Sequence, residues 1–71
     1  MIALNTDMLK GKIRERAMTQ ESVAKSIGIS LSRFNAKLNE TDGAEFSLGE
    51  VKALVKVLSI GPEQRDQIFF A

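Results

Sequence analysis

The sequence predicts an all-α fold, a compact bundle of five short helices, on three observations. Period-two alternation of apolar and polar residues is scarce, while apolar residues recur at spacings of three and four. Asn, Thr or Ser stands before the first four apolar runs, and their side-chain oxygens cap the free amides of a first helical turn. Glycine, and the one proline, punctuate the breaks at Gly28, Gly43 and Gly61-Pro62.

Asn5 caps the first helix, with Leu4 and Leu9 placed to clasp its entry as a hydrophobic staple. Leu9, Ile13 and Ala17 then share one face. Gly11 weakens this helix by about 1 kcal/mol relative to alanine. Thr19 caps the second helix, with Met18 and Val23 as staple and Val23, Ala24 and Ile27 inward. Ser30 caps the third, stapled by Ile29 and Phe34, and Leu31, Phe34 and Leu38 form its buried stripe. The polar stretch 39–46, "NETDGAEF", reads as a loop. Ser47 opens the fourth helix with a Ser-x-x-Glu capping box ending at Glu50 and a Phe46/Val51 staple. Leu48, Val51, Leu54, Val55 and Leu58 face inward. Pro62 suits a first helical position, and "EQRDQIFF" makes a fifth helix whose apolar end is Ile68, Phe69 and Phe70.

Seventy-one residues form one domain, 1–71, and 44% apolar content suffices for a single core. A chain this short buries only about 60% of its unfolded surface. Cysteine and histidine are both absent, which removes disulfides, thiolate sites, the commonest metal ligand and the commonest general base together. The nine acidic residues are scattered, and the one Ser-x-x-Glu match is explained as a cap, so neither an enzyme nor a metal or cofactor is expected. No apolar run approaches the roughly 20 residues of a membrane span, and "MIALNTDMLKGK" lacks the layout of a signal peptide. A soluble intracellular protein is expected, with no membrane partner.

Net charge is only +1, but its distribution is uneven. Residues 1–40 carry seven basic side chains against four acidic ones, and residues 41–71 carry three against five. A basic first half points weakly toward an anionic partner.

The segment "AKSIGISLSRF" interrupts a helical pattern with Gly28 and restarts it two residues later. Glycine ends a helix in a left-handed conformation at no steric cost, and Ile29 then turns inward as a plug between the two helices. A tight glycine turn between steeply crossed helices is the helix-turn-helix unit, and Ala24 supplies a small residue at the crossing. The longer stretch "TQESVAKSIGISLSRFNAKLN", about 19–39, resembles the helix-turn-helix of the phage lambda repressor/Cro-like DNA-binding domains. Gln20, Ala24 and Gly28 match, as does the apolar set Val23, Ile27, Ile29 and Phe34. A preceding helix, a polar loop and a following helix such as "SLGEVKALVKVLSI" extend the resemblance over most of the chain, and within the class it is similar to small phage-encoded repressor-like proteins. One position departs: the residue three after Phe34, apolar in the class, is Lys37, and Leu38 takes over the burial.

With Leu31, Phe34 and Leu38 inward, 100° per residue places Ser32, Arg33 and Ala36 outward and Asn35 and Lys37 at the edges. An α-helix fits the major groove of B-DNA. Arg33 suits guanine O6 and N7, Asn35 adenine, Ser32 either a donor or an acceptor, and Ala36 or the exposed part of Leu31 a thymine methyl. The resemblance gives Gln20, at the start of the second helix, a place on the DNA backbone and in bracing the recognition helix. Ser30, Lys37 and Asn39 are further phosphate candidates.

Plainer readings stand beside these. Ser30 is a cap first. Arg33 and Lys37 also fit a solvated face, and Gln20 an ordinary first turn. The run Lys10, Lys12, Arg14, Arg16 distributes around the first helix as a solvated face rather than one patch. Phe69 and Phe70 read as core, with a dimer contact as the other option.

The resemblance implies a sequence-specific transcriptional regulator of phage Cro/repressor type, acting in the cytoplasm of a bacterial host at its nucleoid. It would bind as a homodimer to a near-palindromic double-stranded operator with half-sites about one helical turn apart. The length leaves no room for a second domain, so a stand-alone Cro-like protein or a fragment of a longer repressor is expected. The rival is a protein-interaction module on the same scaffold, such as an antitoxin-like partner, which the near-neutral charge favours. A purely structural bundle is the third reading.

Overall fold

Five α-helices follow one another through residues 4–70, the part of the chain that the computed structural model describes; residues 1–3 and 71 of the expected domain lie outside it. They are α1 (Thr6–Glu15), α2 (Gln20–Ile27), α3 (Leu31–Leu38), α4 (Leu48–Val57) and α5 (Pro62–Phe69). A short 3-10 turn, Thr41–Gly43, lies within the expected loop. Among the described residues there is no strand, and no helix is long and apolar enough to cross a membrane.

The starts follow the capping logic. Met8 N–H donates to Asn5 Oδ1 at 3.2 Å. Ser22 N–H donates to Thr19 Oγ1 and Thr19 N–H donates back to Ser22 Oγ, each at 3.0 Å, a reciprocal box that a serine completes. Arg33 N–H donates to Ser30 Oγ at 3.1 Å. The Ser47/Glu50 box forms with bonds of 2.8 and 3.2 Å. Pro62 opens α5, where no side chain caps.

The ends correct one expectation. Gly28 takes φ +84° and lets Ile29 N–H reach the Ala24 carbonyl at 3.0 Å. The same closure ends α1, where Met18 N–H reaches the Ile13 carbonyl at 3.1 Å, but Ala17 occupies the left-handed position at φ +55°. Ala17 is therefore exposed beyond the helix, not aligned with Leu9 and Ile13.

The core is continuous. Leu9, Val23, Phe34, Leu54, Leu58 and Ile68 are fully buried within it. Phe34 meets Phe46 with ring centroids 5.6 Å apart, tilted by 58°. α2 packs on both α3 and α4, and α1 on α5. Asn5 N–H donates to the Ile68 carbonyl at 2.6 Å. Arg16 Nε donates to the Leu58 carbonyl at 2.9 Å, a cation at the carbonyl end of α4.

Three expected core residues are exposed: Leu31 (38%), Leu48 (63%) and Phe70 (44%). Leu31 and Leu48 are first residues of their helices, and a helical side chain leans toward the N-terminus, so theirs project past the end of the core. Phe70 follows the last turn of α5, where the backbone leaves the helix at φ −132°, so it diverges from buried Ile68 and Phe69. Val55 is half-buried.

Candidate nucleic-acid interface

The first turn of α3 is open to solvent: Ser30, Leu31, Ser32 and Arg33 are all exposed. Their backbone is fixed by the Ser30 cap in front and by buried Phe34 beneath. The second half differs. Asn35, Ala36 and Lys37 are half-buried, which corrects the outward placement of Ala36. Asn39 is exposed, and its Nδ2 donates to the Asn35 carbonyl at 3.0 Å, so it satisfies the end of its own helix. Thr6 Oγ1 donates to the Leu38 carbonyl at 3.0 Å from α1.

Lys37 is not the free cation its sequence position suggested. Its Nζ lies 2.6 Å from both carboxylate oxygens of Glu50, with side chains only 14% and 16% exposed. Glu50 Oε1 also accepts the Ser47 amide, so one carboxylate caps α4 and holds the end of α3. Burial pushes the Glu50 carboxyl up, but the Lys37 hydrogen bond, the Ser47 amide, the Lys37 charge and the Ser47 hydroxyl together outweigh it and hold the group below its ordinary value.

Gln20, the first residue of α2, is half-buried and lines a groove with Lys10, Ile13, Arg14 and Met18. The basic run of α1 thus divides by destination. Lys12 pairs with Glu15 at 3.4 Å and Arg16 turns to α4, while Lys10 and Arg14 share the Gln20 groove. The run thus does not form one patch, as its spread around the helix predicts, but Lys10 and Arg14, four residues and one helical turn apart, meet at one groove. The groove adjoins a helix start whose first amides lack intrahelical partners.

A second surface lies where the sequence pattern places core residues, with a dimer contact as the other option for Phe70. Leu48, Val51, Val55 and Phe70 line a groove between α4 and α5, with Lys52 and Arg65 as its polar lining. Among the described residues no cluster of His, Cys, Asp or Glu forms a metal site.

Fold and surface together define a small five-helix α domain whose α3 opens on a solvent-facing turn, Ser30 to Arg33. Comparison of the chain with protein-family models, curated proteins and solved structures finds no match.

Proposed function

We propose that this protein is a sequence-specific DNA-binding regulator, with α2 and α3 as a helix-turn-helix and α3 entering the major groove. The observation that carries the reading is the exposed first turn of α3, Ser30 to Arg33, held in one conformation by a cap and a core aromatic. The N-terminal part of a recognition helix is the part that meets base edges.

In this reading Arg33 takes guanine through O6 and N7, Ser32 an adjacent base, and Leu31 a thymine methyl. Asn35 and Ala36 serve at the edge. Gln20 meets a phosphate together with Lys10 and Arg14, which supply the charge that one amide lacks. Ser30 and Asn39 contact the backbone in addition to their capping duties. The exposed pair Leu48 and Phe70 supports self-association, as a near-palindromic operator requires. A cytoplasmic, nucleoid-bound repressor of phage type is the biological setting this reading gives.

Selection of bound oligonucleotides from a random pool tests it. An enriched near-palindrome is expected; a featureless output pool would refute the reading. The Leu48–Phe70 groove also suits a protein ligand, and this favours the second reading, an interaction module. The response to salt separates them, since duplex binding with Z phosphate contacts gives a slope near −0.9Z in log K against log salt.

A further inference from the structure

We propose that Glu50 occupies on Lys37 the place a DNA phosphate would otherwise take, and so lowers the sequence-independent backbone affinity of the end of α3. This inference rests on the DNA-binding reading above.

The geometry is that of an occupied anion site. Both Glu50 oxygens lie 2.6 Å from Lys37 Nζ, the reach of a strong charge-assisted bond. Glu50 is held in place independently of Lys37 by the Ser47 amide, so the carboxylate waits at a fixed point rather than following the lysine. The ammonium belongs to the last turn of the helix proposed to enter the groove. A lysine is a point charge on a flexible stem, and once released it can swing toward solvent. Phosphate contacts add affinity that is indifferent to sequence, so each one silenced lowers specific and non-specific binding alike and flattens the salt dependence. The first turn keeps Arg33 exposed for reading, while the last turn has its lysine neutralised. Within α3, the cation is thus left exposed in the turn proposed to read bases and sequestered in the turn that would meet only backbone.

The variant Glu50→Gln tests this cleanly, because a glutamine oxygen still accepts the Ser47 amide and completes the capping box. Binding of the full chain to a random-sequence duplex is measured by fluorescence anisotropy from 50 to 200 mM salt, with circular dichroism confirming folding. The salt slope of Glu50→Gln steepens by about 0.9, so this variant loses about 3.5-fold more affinity than the wild type across that range. Its affinities for operator and random-sequence duplexes rise by a similar factor. The double variant Glu50→Gln/Lys37→Met returns to the wild-type slope or below. A folded Glu50→Gln protein with an unchanged slope overturns the inference and leaves the DNA-binding reading intact. So does a double variant as steep as Glu50→Gln, since the gained contact then comes from elsewhere. Absence of duplex binding by the wild type removes both.

Discussion

The two ends of α3 are built on opposite terms. Its first turn has a single side-chain bond, from Arg33 N–H to Ser30 Oγ, and otherwise faces solvent. Its last turn is tied at three points: Lys37 to Glu50 of α4, the Leu38 carbonyl to Thr6 of α1, and Asn39 back to Asn35 within the helix. Fixing one end of a rigid eight-residue helix aims the other end without covering it. The polar side chains nearest the free end therefore need no partner within the protein, which is what a surface that binds something else requires. The largest test removes the support common to both ends. Phe34 is fully buried beneath the helix, and Phe34→Ala lowers unfolding stability by about 3–5 kcal/mol in chemical denaturation. A loss below about 1 kcal/mol would mean that the two ends are held separately.

Substitution at the free end gives a contrasting result. Arg33→Ala costs about 1–3 kcal/mol in specific duplex binding and relaxes one base position, while stability stays within about 0.5 kcal/mol. A gel-shift series across operator variants checks the first effect and thermal denaturation the second. An unchanged base preference would remove Arg33 from the reading surface.

The turn that delivers α3 is the next point of attack. A Cβ at Gly28 meets nothing within 4 Å, so the cost of Gly28→Ala is the left-handed backbone alone, about 1 kcal/mol by thermal denaturation. Ala17 pays that cost already at φ +55°, so Ala17→Gly gains a similar amount. If both changes prove neutral, the left-handed ends carry no strain worth counting.

These two ends also explain what was legible in the sequence. Gly28 announced its turn because glycine is the residue that adopts this conformation freely; Ala17 concealed an equivalent turn, since alanine carries no such signal and fitted the helical spacing. Caps were readable because they depend on bonds three residues apart, as Asn5, Thr19, Ser30 and Ser47 illustrate. The exposure of Ser32 and Arg33 follows from the periodicity of one helix. Lys37 did not, because its partner lies thirteen residues away on another helix, and no local pattern encodes which cation an acidic cap will also hold. Leu48 and Phe70 were assigned inward on apolar character, whereas their exposure follows from standing at helix termini.

The smallest expected effect concerns the tether itself and is read against pH. Glu50 is held below its ordinary value in the folded protein, so the unfolded chain takes up a proton at higher pH than the folded one does. The stability this carboxylate contributes is complete above the ordinary glutamate value of the unfolded chain, about 4.5, and is lost as pH falls through the folded value. Glu50→Gln has no such titration but keeps the cap. The two proteins differ at this side chain alone, so the difference in urea midpoint between them isolates it. That difference favours the wild type at pH 7 and closes progressively on acidification to pH 3. A gap that stayed constant over the whole range would show that the carboxylate charge does not hold the last turn of α3, and the contrast between its two ends would then rest on Thr6 and Asn39 alone.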